Sequence, residues 1–224
     1  QAGFWRIGPS ARPAAGGAHD TFLKAQDQLD HYYQPQGVEK ATKLFETTIA
    51  EDPQFALAYA GLARANFLRF WQEGEPRYVE PAVAAATQAL SLDRNLASVH
   101  VTLGRIYTET GKNDLAAQEL NEALRLDPRN AEAHHGQALL FWKQGRKADA
   151  EAAMMQAIDL APQDWRNPHE MAEFEADQGK FEEALKWNQR AVALTPDNPR
   201  ALNNLGRAYI RLRNWPEARK ALEK

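Results

Sequence analysis

Cysteine is absent from this chain of 224 residues, so no disulfide can link its segments and no cysteine-ligated metal site can form. The absence leaves the cellular compartment open, because many exported proteins also lack disulfides. No apolar run approaches the roughly 18–20 residues that cross a bilayer. Charge of one sign is also scarce. The formal net charge is -3, and no cluster of Lys and Arg forms the basic face expected of a nucleic-acid-binding protein.

Patterns typical of catalysis and metal binding are missing as well. The six histidines are not paired along one helix face, as a zinc hydrolase requires. His134 and His135 are adjacent, so on a helix their side chains point about 100° apart. No glycine-rich segment opens a helix after a strand, which argues against a phosphate-binding loop. The sequence therefore predicts a chain that is not an enzyme and that has no metal site and no cofactor.

What the sequence does contain is an internal repeat. The markers are alanines spaced 34 residues apart, namely Ala82, Ala116, Ala150, Ala184 and Ala218. Within one period, residues 97–110 and 113–126 each carry apolar residues at three- and four-residue steps, which predicts two helices. Ala41 lies 41 residues before Ala82, so the second unit has an insertion of seven residues.

Small residues and turn residues recur with the same period. Gly104 and Ala116 are predicted to lie where the two helices of a pair cross with their backbones close. Gly111, Gly145 and Gly179 are predicted to end the first helix in the left-handed conformation. At the corresponding places, Gln36 and Arg213 stand where glycine is expected.

This pattern resembles the tetratricopeptide repeat, and the resemblance covers about residues 22 to 224. It implies an all-α fold, a right-handed α-solenoid of antiparallel helix pairs. Residues 1–18 are expected to be a flexible linker or a juxtamembrane tether, and residues 19–224 the solenoid. The units are expected at 22–55, 56–96 with the inserted loop, 97–130, 131–164, 165–198 and, truncated, 199–224.

Aromatic residues supply two further predictions. Four of them are expected to pack between neighbouring units, namely Trp165, Phe181, Trp187 and Trp215. Glu175 stands where three other units have an aromatic residue, and the adjacent Phe174 is expected to fill that apolar place.

The resemblance implies a non-catalytic protein-interaction scaffold. In such a solenoid the first helix of each pair lines the concave face, and arginine and aromatic residues dominate binding hot spots. The residues predicted to bind a protein or peptide there are Arg64, Phe67, Arg105, His135, Trp142, His169, Glu173, Asn203 and Arg207. Chaperone-binding relatives hold a terminal carboxylate with a Lys/Asn set. That set is missing here, since its places hold Gln26, Asp30, Gly61, Ser98 and Thr102.

Two alternatives stay open. The wording "ALAYAGLARANFLRF" and the longer second unit resemble the carboxy-terminal repeat regions of bacterial signalling proteins, such as receptor-like serine/threonine kinases and transcriptional regulators. That resemblance implies a sensory or self-associating region, possible homodimerisation, and a kinase or other domain upstream in the parent protein. The chain would then lie on the extracytoplasmic side of a membrane-anchored protein, or in the cytoplasm. The other alternative is that the inserted loop, with Trp71 and Tyr78, is itself a recognition element.

Overall fold

The computed structural model describes residues 16–32 and 36–224, so most of the predicted tether lies outside the described residues. Within them the chain is helical and has no strand. A 3-10 turn, Pro76–Tyr78, precedes the fourth helix. The α-helices are α1 Gly17–Asp30, α2 Gly37–Glu51, α3 Ala56–Glu73, α4 Val79–Leu92, α5 Ala97–Glu109, α6 Asn113–Leu126, α7 Ala131–Lys143, α8 Lys147–Leu160, α9 Arg166–Asp177, α10 Phe181–Leu194, α11 Pro199–Arg211 and α12 Trp215–Leu222.

Consecutive helices pack as pairs, and the chain divides into two compact units. From here on, "first unit" and "second unit" mean these two compact parts and not the 34-residue repeats. The first unit ends at Gly136 and holds the pairs α1–α2, α3–α4 and α5–α6 with the start of α7. The second unit, Gln137–Lys224, holds the rest of α7, then α8 and the pairs α9–α10 and α11–α12. The all-α prediction is confirmed. Among the described residues, no helix is both long and apolar enough to cross a membrane.

The turn inside each pair depends on one residue with positive φ. Gly111, Gly145 and Gly179 have φ of 74°, 73° and 79°, which confirms the predicted left-handed helix ends. Gln36 and Arg213, which replace glycine in the first and last pairs, take the same conformation with φ of 63° and 58°. The turn geometry is therefore kept even where a Cβ makes it costly.

We expect Arg213→Gly to raise the free energy of unfolding by about 0.5–1 kcal/mol, because glycine adopts positive φ without a steric cost. Urea denaturation would measure the change. Arg219→Gly is the matched control in the middle of α12, and there glycine should lower stability by about 1 kcal/mol. Equal destabilisation by both substitutions would contradict the expectation.

The turns between pairs are held by aspartates. The carboxylates of Asp52, Asp93 and Asp127 each accept a hydrogen bond from the backbone N–H two residues later, at 3.1, 2.9 and 3.2 Å. Aspartate stabilises turns in this way because its short side chain reaches its own backbone. Asn130 continues the arrangement by accepting from the Ala133 N–H at the start of α7.

Small residues form the contact between paired helices, as the repeat predicts. The marker alanines are all buried. In the first unit, Leu120 of α6 is fully buried between two glycines. A Cβ added at Gly104 would lie 2.6 Å from Leu120 Cγ, and one added at Gly136 would lie 2.5 Å from Leu120 Cδ2. These glycines therefore make room for one large side chain.

The predictions for the aromatic residues agree with the structure in part. Trp165 is buried, Trp187 packs against the core of the second unit, and Phe174 lies within that core. Trp215 is 61% exposed, so its predicted packing between neighbouring repeats is wrong. It is the first residue of α12, where the side chain projects from the last pair of the described fold. Glu175 is buried beside Phe174, with an oxygen 2.9 Å from Lys180 Nζ.

Candidate functional site

The second unit contains a cavity of about 290 Å³. The end of α7 contributes Trp142 to its wall, and the other lining residues belong to α9, α10 and α11. Four alanines line it with Phe181, two amides and four charged side chains. These lining residues are Ala172, Ala176, Ala184, Ala208, Asn188, Asn204, Glu173, Asp177, Arg207 and Arg211.

The aromatic walls are held by their neighbours. Trp142 meets Phe174 edge to face, with ring centroids 5.5 Å apart, a favourable geometry for aromatic pairs. The Arg211 guanidinium carbon lies 5.5 Å from the centroid of the Phe181 ring, within cation–π range. The cavity wall is thus built from side chains that already have partners and are positioned before any ligand arrives.

The repeat changes at Asn188, which lines the cavity. Counting in steps of 34 residues, and 41 across the insertion, the residues equivalent to the clamped Leu120 are Phe45, Ala86, Met154, Asn188 and Leu222. Asn188 is the one polar residue in that series. It is 7% exposed and its amide nitrogen donates to the Ala184 carbonyl at 3.1 Å. The facing residue, equivalent to Gly136, is Asn204. A polar pair therefore stands where the first unit has leucine against glycine.

His169 lies next to this pair. Its Nδ1 accepts from the Asn204 amide nitrogen at 3.1 Å, and its ring stacks on Trp165 with centroids 5.8 Å apart. Burial lowers the pKa of His169 to about 4, and the charges of Arg200 and Arg207 act in the same direction. The imidazole is therefore neutral at pH 7, which allows Nδ1 to accept the hydrogen bond.

Charges of opposite sign occupy different helices of the cavity. Glu173 and Asp177 belong to α9, and Arg207 and Arg211 to α11. Burial raises the pKa of Glu173, and Arg207 opposes that rise. A ligand that spans the cavity therefore meets negative charge at α9 and positive charge at α11.

The lowered pKa of His169 predicts how the free energy of unfolding depends on pH. The unfolded chain binds a proton near the ordinary histidine pKa of 6.5, whereas the folded chain binds it only near pH 4. Stability should therefore fall as the pH drops from 6.5 towards 4. By pH 5 this histidine should account for a loss of about 2 kcal/mol. Denaturation at pH 7 and pH 5 should show that His169→Asn loses about 2 kcal/mol less than the wild type.

The comparison between the two proteins isolates His169, because other titrating groups are present in both. Burial lowers the pKa of His100, but the hydrogen bonds to Glu119 and to the Arg94 carbonyl, together with the charges of Glu119 and Glu122, raise that pKa more, so the stabilisation by His100 is lost as the pH rises through it. An equal pH dependence in wild type and variant would show that His169 is protonated in the folded state.

Four predicted binding residues lie in the first unit, and most are engaged internally. Arg64 forms two hydrogen bonds with Glu132, at 2.9 and 3.0 Å. Phe67 is 3% exposed and packs with Ala82 and Ile106. The Arg105 guanidinium lies 5.0 Å from the Phe67 ring centroid. His135 is 3% exposed. Phe67 and His135 are therefore core residues and do not present their side chains to a partner.

The second unit brings three of the predicted residues together. Trp142, Glu173 and Arg207 line the cavity. Asn203 is exposed, but its neighbour Asn204 is the residue that faces the cavity. Sequence reasoning missed Asn188 and Phe181, since both belong to α10, a second helix of a pair. Aligning the repeats on the marker alanines would have revealed Asn188 as the polar exception.

The inserted loop is tied to α3 by Tyr78. The Tyr78 hydroxyl donates to Glu73 at 2.7 Å and accepts from Arg69 at 2.6 Å, and Arg69 also lies over the ring. Tyr78 is buried, so it anchors the loop and is not displayed as a recognition residue. Within residues 16–32 and 36–224, no group of three acidic or histidine side chains converges as a metal site would require.

Comparison with protein families gives matches to repeat models. A model described as TPR repeat matches residues 104–145 and 175–212. Models described as tetratricopeptide repeat match residues 131–164 and 201–224. No curated protein sequence matches this chain.

Solved structures share the fold. A thermophilic TPR protein from Thermus thermophilus, TTC0263, is 22% identical over 87% of this chain and 100% of its own, with a TM-score of 0.74. PilW, a type IV pilus biogenesis factor, is 19% identical over 92% of this chain and 91% of its own, with a TM-score of 0.64. A chain in the structure of the APC/C hetero-tetramer Cut9–Hcn1 is 16% identical over 94% of this chain and 43% of its own length, with a TM-score of 0.67. This chain therefore carries tetratricopeptide repeats, and its helix pairs have the fold of a tetratricopeptide-repeat solenoid.

Proposed function

We infer that the chain is a non-catalytic protein-interaction module whose binding site is the cavity of the second unit. The supporting observation is the lining itself. It combines the aromatic residues Trp142 and Phe181 with Arg207, Arg211 and two asparagines, and aromatic residues with arginine are the side chains that contribute most at protein interfaces. Tetratricopeptide repeats generally bind protein partners, and the similar Cut9–Hcn1 structure is itself a complex between two proteins.

A photo-crosslinking amino acid at Arg207 tests this function in cells that produce the parent protein. Arg207 is exposed and lines the cavity, whereas Gln156 is exposed on α8 and does not line it. We expect discrete adducts from position 207, identified by mass spectrometry, and none of the same identity from position 156. Identical adduct patterns at both positions, or no adduct at position 207, would refute the proposed site.

Self-association is the second candidate function, and exposed apolar side chains on the last pair favour it. Ile210, Trp215 and Leu222 are 39%, 61% and 48% exposed, and apolar residues grouped on a surface often mark an interface. Sedimentation velocity should then show a dimer that Trp215→Glu, at the most exposed of the three side chains, converts to a monomer. A monomeric wild type would exclude this candidate. The predicted place of the chain in a receptor-like kinase or regulator belongs to this second proposal.

A further inference from the structure

The cavity of the second unit is large enough to admit one aromatic side chain, since a cavity of about 150 Å³ already holds a benzene ring. Its volume of about 290 Å³ lies at the lower limit of the roughly 300–1,000 Å³ typical of small-molecule pockets. We propose that it receives a single tyrosine side chain from an extended segment of a partner protein, with the phenol hydroxyl at Asn188 and Asn204. This inference rests on the proposed protein-binding function and specifies its ligand.

The walls fit a flat ring. Ala172, Ala176, Ala184 and Ala208 present only methyl groups to the cavity, and Trp142 and Phe181 add aromatic surface. Aromatic side chains bury a large area at low conformational cost and form favourable offset or edge contacts with other rings. A ring entering between these residues would therefore meet apolar atoms over most of its surface.

The two asparagines favour a ring that carries a hydroxyl group. Asn188 is nine-tenths buried, and Asn204 faces the cavity next to neutral His169. The amide nitrogens already donate one hydrogen bond each, to the Ala184 carbonyl and to His169, which leaves each amide one N–H and its oxygen for a ligand. An aliphatic side chain or a plain phenyl ring would displace water from these amides without replacing its hydrogen bonds. A phenol hydroxyl can both donate and accept, so it compensates for that water.

The charges orient the partner segment. Residues flanking the tyrosine pass Glu173 and Asp177 on the α9 side and Arg207 and Arg211 on the α11 side. The complementary segment has a basic residue on the α9 side of its tyrosine and an acidic residue on the α11 side. Such complementarity selects one chain direction, because the reversed segment would place like charges together.

Small probes test the cavity without the unidentified partner. N-acetyl-tyrosinamide, N-acetyl-phenylalaninamide and N-acetyl-leucinamide are titrated to tens of millimolar into ¹⁵N-labelled protein, and the side-chain amide signals of Asn188 and Asn204 are followed. We expect the tyrosine probe to shift both signals and to bind about fivefold more tightly than the phenylalanine probe, the factor that one net hydrogen bond contributes. No shift with the tyrosine probe, or equal affinity for the tyrosine and phenylalanine probes, would overturn the proposal.

Removing the Asn188 amide from the cavity wall provides a second test. Asn188→Leu replaces the amide by an apolar group of similar shape, so the phenol hydroxyl loses its partner and the shift of Asn204 by the tyrosine probe should disappear, while Gln156→Leu on α8 should leave it unchanged. Unchanged binding in Asn188→Leu would overturn the proposal. The wild-type titrations decide the matter alone should this variant fold poorly.

The crosslinking experiment separates this inference from the proposed function. If Asn188→Leu keeps the adduct formed at position 207, the interaction site stands and the tyrosine pocket is wrong. If the wild type forms no adduct there but binds the tyrosine probe, the pocket stands and the partner-binding function fails.

Discussion

Replacing Gly104 with leucine is expected to lower the free energy of unfolding by about 3 kcal/mol. The Cβ alone would lie 2.6 Å from Leu120 Cγ, well inside normal contact distance, and 3.4 Å from the Ala116 carbonyl oxygen, where contact begins. Leu120 is fully buried and cannot move into solvent. Overpacking a tight core costs about 1–3 kcal/mol, and a leucine at this crossing should reach the upper end. Thermal or urea denaturation would measure the loss.

A double-mutant cycle with Leu120→Ala shows whether the clash is the cause. Leu120→Ala alone should cost about 2–5 kcal/mol through the cavity that it leaves. In that background the Gly104→Leu side chain can occupy the vacated space, so the double variant should be more stable than the sum of the two losses predicts. Additive losses would mean that Gly104 matters for some reason other than contact with Leu120.

Replacing Arg64 with methionine is expected to cost about 3 kcal/mol. Arg64 and Glu132 pair through two hydrogen bonds, with only 12% and 11% of their side chains exposed. Removing one partner leaves the Glu132 carboxylate largely buried without its main cation. Breaking a fully buried pair costs about 3–5 kcal/mol, and the residual exposure places this pair at the lower end.

Two further variants identify the origin of that loss. The double substitution Arg64→Met with Glu132→Leu should recover to within about 1 kcal/mol of the wild type, because replacing both charges removes the desolvation penalty. Arg125→Met breaks the exposed pair with Glu122 on α6 and should change stability by no more than about 0.5 kcal/mol. A similar small effect at Arg64 would show that burial adds nothing to that pair.

The fold was predictable because a repeat supplies several copies of the same evidence. The alanines from Ala82 to Ala218 keep their spacing, and each is buried where two helices cross. The glycines at 111, 145 and 179 mark turns whose left-handed conformation few other residues adopt readily. Gln36 and Arg213 show that the geometry persists where the signal in the sequence is lost.

The candidate site was only partly predictable. A first helix in the stack packs both against its own second helix and against the adjacent pair, so little of its circumference reaches solvent. Counting helical positions therefore assigned Phe67 and His135 to the surface, although both are buried. Trp142, Glu173 and Arg207 line one cavity, but its wall also includes Phe181 and Asn188 of a second helix, which a count of first-helix positions does not include.

The ion pair between Arg64 and Glu132 has a consequence for how the first unit opens. The two residues are 68 positions apart and join α3 to α7, although α4, α5 and α6 lie between these helices in the chain. In a simple repeat stack each pair contacts only its neighbours, and the pairs can unfold one after another from an end. This bond spans beyond the nearest neighbour, so separating α7 from the stack also breaks a contact of α3. Hydrogen exchange in α3, α5 and the start of α7 should consequently proceed through one cooperative opening, as a single foldon.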